Sequence, residues 1–241
     1  MLFQRAAAGL AGLLGISKPG LTPRQFEPDS SVYVDAETGL TFASYTSDRS
    51  IIFRVAIPDV IPTDLIFDTV LQIVSPIDVG WAGFSWGGHM TYNPLGIAWA
   101  NGNEVILSPR IAYGYYSPPI YTDSHYTVLK KGTFVNATHF QVTAKCTGCS
   151  SWGDESIGFS NIDPEYQTTL AYAYGDTKVD TPADKESTFG IHDSLGHPIY
   201  DLAVAKNADF AKKVAALAEG DVTTPAPPAG GDDESCDAKD M

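Results

Sequence analysis

The stretch Gly83–Gly102 reads GFSWGGHMTYNPLGIAWANG and holds Met90, the only methionine away from the chain ends, since the others are Met1 and Met241. A flexible thioether commonly fills irregular core space. Placed between a glycine pair, Gly87-Gly88, and the polar turn Thr91–Pro94, Met90 is oddly sited for that task. Downstream, Ile97–Trp99 leads into Asn101-Gly102, the dipeptide that a type I′ hairpin turn prefers, and Glu104–Leu107 is the expected return strand.

The flanking chain extends this β reading. Leu40–Tyr45, Ile51–Ile57, Leu65–Val74 and Val79–Trp86 are compact runs rich in aromatic and β-branched residues. The run Val79–Trp86 is strongly apolar but alternates poorly, whereas His139–Cys146 and Thr169–Tyr174 alternate well. Pro, Gly, Asn and Asp separate the runs every 8–12 residues or so, the signature of an all-β sandwich or barrel. No strand–helix alternation and no internal repeat is present. One helix is expected, over Ala203–Glu219 with Gly220 as its stop. The domain is therefore placed at residues 31–220, and Asp221–Met241, rich in Pro, Thr, Gly and Asp, has the composition of a disordered linker or tail.

Composition narrows the function. A net charge of −14 argues against nucleic acid, because phosphate contacts require an excess of Lys and Arg. In Met1–Gly20, Arg5 precedes an 11-residue apolar run, Ala6–Ile16, which is too short to span a bilayer and fits a signal peptide or N-terminal extension. Secretion is the expectation. The sequon Asn136-Ala137-Thr138 agrees with it, and would make the chain a glycoprotein. Cys146 and Cys149 form C-x-x-C, but Ser150 replaces the His of a c-type haem site, one such pair cannot supply four zinc ligands, and no βαβ context supports a redox motif. A small disulfide in a secreted protein is the preferred reading. Cys236, in the tail, is left without an assigned partner.

Two constellations could carry chemistry. Gly83-Phe84-Ser85-Trp86-Gly87 fits G-x-S-x-G, and Asp193 and His197 follow in the order of a hydrolase triad. The nucleophile elbow needs a helix after the Ser, and Gly88 to Pro94 cannot open one. The second is haem ligation, in which a His and a Met fill both axial positions, give a six-coordinate centre and raise its reduction potential. Met90 is then the sulfur ligand. Of the five histidines, His89 is adjacent to Met90 and cannot easily reach the opposite face, while His192 and His197 lie in the Gly-rich loop Phe189–His197, where a ring can be aimed into a pocket.

Read in order, GGHM, eight residues, WANGN, then Arg110, Gly114-Tyr115, NATH before an aromatic strand, C-x-x-C and STF-x-x-H resemble the cytochrome domain of fungal cellobiose dehydrogenases, of the DOMON-like class. The resemblance covers about Glu37 to Asn207. It implies a secreted, immunoglobulin-like antiparallel β-sandwich with a b-type haem held between Met90 and His192. It implies that Tyr115, with Arg110, lies at the haem propionates, that Trp99 is near the pocket, and that Cys146 and Cys149 form the family's disulfide. Departures are His89, Tyr92 and Pro94 around the Met, His197-Pro198 after the His loop, and the missing flavin dehydrogenase that usually follows a linker.

The function implied is an electron carrier without a catalytic site of its own. It would take single electrons from a flavin or quinone dehydrogenase and pass them to an extracellular acceptor such as a lytic polysaccharide monooxygenase. The alternative is a haem-free carbohydrate-binding sandwich that uses exposed Tyr and Trp.

Overall fold

The computed structural model describes residues 27–156 and 158–219, so the signal-like segment, Gly220, the tail and Cys236 lie outside the described residues. The strands are β1 (Ser31–Val34), β2 (Thr41–Thr46), β3 (Ile52–Pro58), β4 (Thr69–Pro76), β5 (Trp81–Ser85), β6 (Pro94–Asn101), β7 (Glu104–Ile111), β8 (His125–Val128) and β9 (Phe134–Val135). They continue with β10 (His139–Thr147), β11 (Ser151–Asp154), β12 (Gly158–Asn161), β13 (Gln167–Thr169), β14 (Ala171–Gly175), β15 (Ser194–Gly196), β16 (Ile199–Asp201) and β17 (Lys206–Asn207). A 3₁₀ turn, Leu202–Ala205, and the helix α1, Phe210–Glu219, complete the order.

The strands form an antiparallel sandwich. The larger sheet runs β1-β2-β3-β4-β10-β8, with β9 on β10 and β17 parallel to β3; the smaller runs β15-β14-β5-β6-β7. Between them lies a core of Phe53, Val55, Leu71, Ile73, Phe140 and Val142 from the larger sheet against Ala82, Phe84, Ala98 and Tyr172 from the smaller. Phe53 stacks on Phe84 and on Tyr172 with centroids 6.0 and 5.2 Å apart. Trp86 donates through Nε1 to the Tyr126 hydroxyl at 2.8 Å, so its indole is buried without an unmet donor.

Cys146 and Cys149 are joined in the expected disulfide, at the end of β10. The intervening Gly148 has φ +81°, and a Cβ there would stand 2.1 Å from the Asp123 carbonyl oxygen, so the tight loop needs glycine.

Three local expectations change. The hairpin between β6 and β7 pairs Asn101 with Glu104, so its central residues are Gly102 and Asn103, and only Gly102 has positive φ. That is the II′ pattern with glycine first, not the I′ pattern read from Asn101-Gly102. Strand β4 begins at Thr69 rather than Leu65, because Leu65 turns the chain at φ +58°. The helix starts at Phe210 rather than Ala203. Asn207 accepts from the Thr41 amide at 2.8 Å and donates to the Thr41 carbonyl at 2.8 Å, which holds residues 206–207 against the sheet, and Asp209, at φ +55°, breaks any continuity. Tertiary pairing thus overrides the helical propensity of the alanine-rich segment. What remains of the helix lays Phe210, Val214 and Leu217 on the outer face of the larger sheet, against Leu40, Phe42, Ala56 and Val70.

Replacing Asn207 with Ala leaves the Thr41 amide and carbonyl without their partners, and should cost about 1–3 kcal/mol. Thermal melting should then fall by about 2–4 °C per kcal/mol for a domain of this size. An unchanged melting temperature would show that this side chain does not hold β17 in place.

Candidate functional site

The site grows from the outer face of the smaller sheet. Register places Leu195, Ala173, Gly83 and Ile97 in one cross-strand row and Ala171, Ser85 and Leu95 in the next. Side chains alternate along each strand, so the residues facing away from the core are Trp81, Gly83, Leu95, Ile97 and Ala173. Trp81, Leu95, Ile97 and Ala173 belong to a separate apolar cluster that also contains Trp99, Met90 and Phe189. This explains why Val79–Trp86 alternates poorly: both faces of β5 are covered. The centre of the outer face is built from Gly83, Ala171 and Ala173, so it is low and flat, with larger side chains around it.

Over this floor lies an apolar cavity bounded by Met90, Phe189, His192, His197 and Pro118. A second chamber shares Trp81, Met90, Pro118, Phe189 and His192 and extends to Tyr115, Tyr116 and Ser117. Of the sequence-predicted residues, Met90 and His192 line both chambers. Tyr115 stands at the rim of the second and is 94% exposed.

Met90 is held by its turn. A Cβ on Gly87 would fall 1.7 Å from Asn93 Oδ1, and Gly88, at φ +78°, would place one 2.8 Å from the Thr169 carbonyl oxygen. Both glycines are therefore required by close approach. Ser85 Oγ donates to the His89 carbonyl at 2.6 Å, and Asn93 Nδ2 donates to the His89 and Thr91 carbonyls at 3.1 and 2.9 Å. His197 Nδ1 donates to the Gly88 carbonyl at 2.7 Å, which fixes the tautomer of that ring. The Ser85 hydroxyl is thus committed to the backbone and no helix follows it, so the nucleophile-elbow reading has no scaffold here.

His192 rides on the loop between β14 and β15. Asp193 N donates to the Tyr174 carbonyl at 2.8 Å and Asp176 N to Asp193 Oδ2 at 2.7 Å. Trp99 and Arg110, expected at the cofactor, line neither chamber. Trp99 is buried beneath the same loop, and its Nε1 donates to the Pro182 carbonyl at 2.8 Å. The Arg110 guanidinium spends its donors on Ser108 Oγ and the Pro118, Lys185 and Ser187 carbonyls, at 2.7 to 2.8 Å. Both residues brace the walls instead of contacting the space inside. A buried guanidinium needs many acceptors, and two of the four, the Lys185 and Ser187 carbonyls, lie in a segment that sequence spacing does not bring to Arg110.

The residues fit a haem. Among the described residues neither the Met90 thioether nor the His192 ring takes part in a hydrogen bond, and the two are soft and borderline donors of the kind an iron porphyrin accepts. Trp81 lines both chambers, and its buried indole Nε1, which sits over Gly175, also lacks a partner among the described residues. A buried unmet donor calls for an absent polar group or water. Sequence reading missed Trp81, although a Trp in a run apolar on both faces was the available signal.

Residues 33–212 match the cytochrome domain of cellobiose dehydrogenase. The chain belongs to this family. It is 26% identical over 198 residues to the pyrroloquinoline quinone-dependent pyranose dehydrogenase of Coprinopsis cinerea, which covers 81% of this chain but only 26% of that protein; the chain spans about a quarter of the length of the curated relatives it matches. Two solved structures share the fold, each with a TM-score of 0.69 and 24% identity over 80% of this chain. They are the cytochrome b domain of that pyranose dehydrogenase, covered to 96%, and the cytochrome domain of Myriococcum thermophilum cellobiose dehydrogenase, covered to 98%. Membership of a cytochrome family implies haem binding and electron transfer.

Substituting Trp81 with Phe keeps the ring but removes the unpaired N–H. If that donor serves the bound group, transfer of haem to apomyoglobin should be severalfold faster from the variant than from the parent. An equal transfer rate would assign the indole a packing role only.

Proposed function

We propose that this domain is a secreted b-type cytochrome that carries one electron at a time, with Met90 and His192 as the axial ligands of its haem. The observation that carries this reading is the pairing itself: one thioether and one imidazole, on separate braced loops, line the same two apolar chambers without a hydrogen bond to either. Bound there, haem would supply a one-electron couple with no open coordination site. Met90 would stabilise the reduced state through its soft sulfur, and His192 would supply the imidazole ligand. Trp81, Leu95, Ile97 and Phe189 would exclude water, so that little reorganisation accompanies transfer. Tyr115, at the exposed rim, would stand where the polar edge of the group meets solvent, without the help of Arg110.

The donor is proposed to be a flavin or quinone dehydrogenase, a reading supported by family membership and by the pyrroloquinoline quinone-dependent relative. The acceptor is proposed to be extracellular, such as the copper of a lytic polysaccharide monooxygenase. The Cys146–Cys149 disulfide suits an oxidising compartment. Among the described residues no helix is long and apolar enough to cross a membrane. The haem-free, carbohydrate-binding alternative has in its favour the exposed Tyr92, Tyr113, Tyr115 and Tyr116 near the rim. It leaves without a purpose the thioether and imidazole that line the same chambers.

The test is absorption spectroscopy and potentiometry on haem-loaded protein. The parent should show low-spin, six-coordinate bands when oxidised and when reduced with dithionite. Met90→Ala should become high-spin and lose potential, and His192→Ala should hold haem weakly. Unaltered spectra and potentials in both variants would remove the axial assignment.

A further inference from the structure

We propose that Arg110 acts as a fixed buried cation, without a carboxylate in contact, that biases the cavity's redox centre toward its reduced state. This inference rests on the haem reading above and adds to it the means by which the fold sets the potential.

Arg110, on β7, is 2% exposed. Buried arginines are ordinarily matched by a carboxylate, because an unpaired charge away from water is costly. Here every acceptor is neutral: one hydroxyl and three backbone carbonyls. The salt bridges among the described residues use Arg49, Lys145 and Lys206, not Arg110. Asp184 and Glu186, the acids with the largest influence on it, are exposed. Burial depresses the guanidinium pKa from its ordinary value, yet arginine stays protonated at any working pH.

The charge sits directly behind the wall. The guanidinium carbon is 5.6 Å from the centroid of the Phe189 ring, and Pro118, whose carbonyl takes one of its hydrogen bonds, is the second wall residue it reaches. Both residues line both chambers. Reduction adds one electron to the site and takes no proton from Arg110. A cation held in a low-dielectric wall therefore lowers the energy of the reduced form, and bulk salt screens it little. A lysine at this position would retain the charge but lose the fork of donors; a glutamine would lose the charge.

Midpoint potentials of haem-loaded parent, Arg110→Lys and Arg110→Gln test this. We expect the Lys variant to stay within about twofold of the parent in its reduction equilibrium. The Gln variant should fall by about tenfold, which is about 59 mV for one electron, at both low and high salt. Low-spin bands in each variant report that Met90 and His192 still ligate. Equal potentials in parent and Gln variant, an equal fall in both variants, or loss of the low-spin bands in both would reduce Arg110 to a clamp and overturn the proposal. A parent without six-coordinate haem would instead fail the ligand assignment, a separate result.

Discussion

The architecture depends on one constraint: strands β14, β5 and β6 are buried on both faces. An antiparallel sandwich normally gives each sheet one core face and one solvated face. Here Ala82, Phe84, Ala98 and Tyr172 point into the core, while Trp81, Gly83, Ile97 and Ala173 point outward and are still withdrawn from water. An apolar outer face must be covered. The chain covers it with three loops, and because Gly83, Ala171 and Ala173 keep the centre low, the cover does not collapse onto the sheet. The space left is the site.

Loops that roof a cavity would be mobile unless their backbone polar groups were satisfied. The structure answers this with side chains. Ser85, Asn93 and His197 take the carbonyls of Gly88, His89 and Thr91 around Met90. Trp99, Ser108 and Arg110 take those of Pro182, Lys185 and Ser187 in the loop that leads to His192. The loops that carry Met90 and His192 are therefore anchored to rigid strands, which is what the proposed centre, changing charge without changing shape, would require. The glycine pair before Met90 belongs to the same logic, since any side chain at either position would strike Asn93 or the Thr169 carbonyl.

Much of this was legible in the sequence. Short apolar runs with turn residues between them announce an all-β fold, and a single internal Met in a glycine-bounded turn, with histidines in a second loop, marks two loops that do line the cavity. Val79–Trp86 was harder, because a run covered on both faces shows no period that separates strand from buried helix. The segment Ala203–Asn207 carries helical composition, but Asn207 is claimed by Thr41, 166 residues away, and no local rule reveals that. Arg110 shows the same limit at the site. Its type suggests an anion partner, while two of its four acceptors are carbonyls of the distant loop that leads to His192, a pairing that exists only after folding.

Iron K-edge X-ray absorption of the haem-loaded protein, oxidised and reduced, tests the central claim most directly. The fine structure should require five nitrogen neighbours and one sulfur in both states, the sulfur being Met90 because no other internal methionine is available. A first shell fitted by nitrogen and oxygen alone would contradict the account.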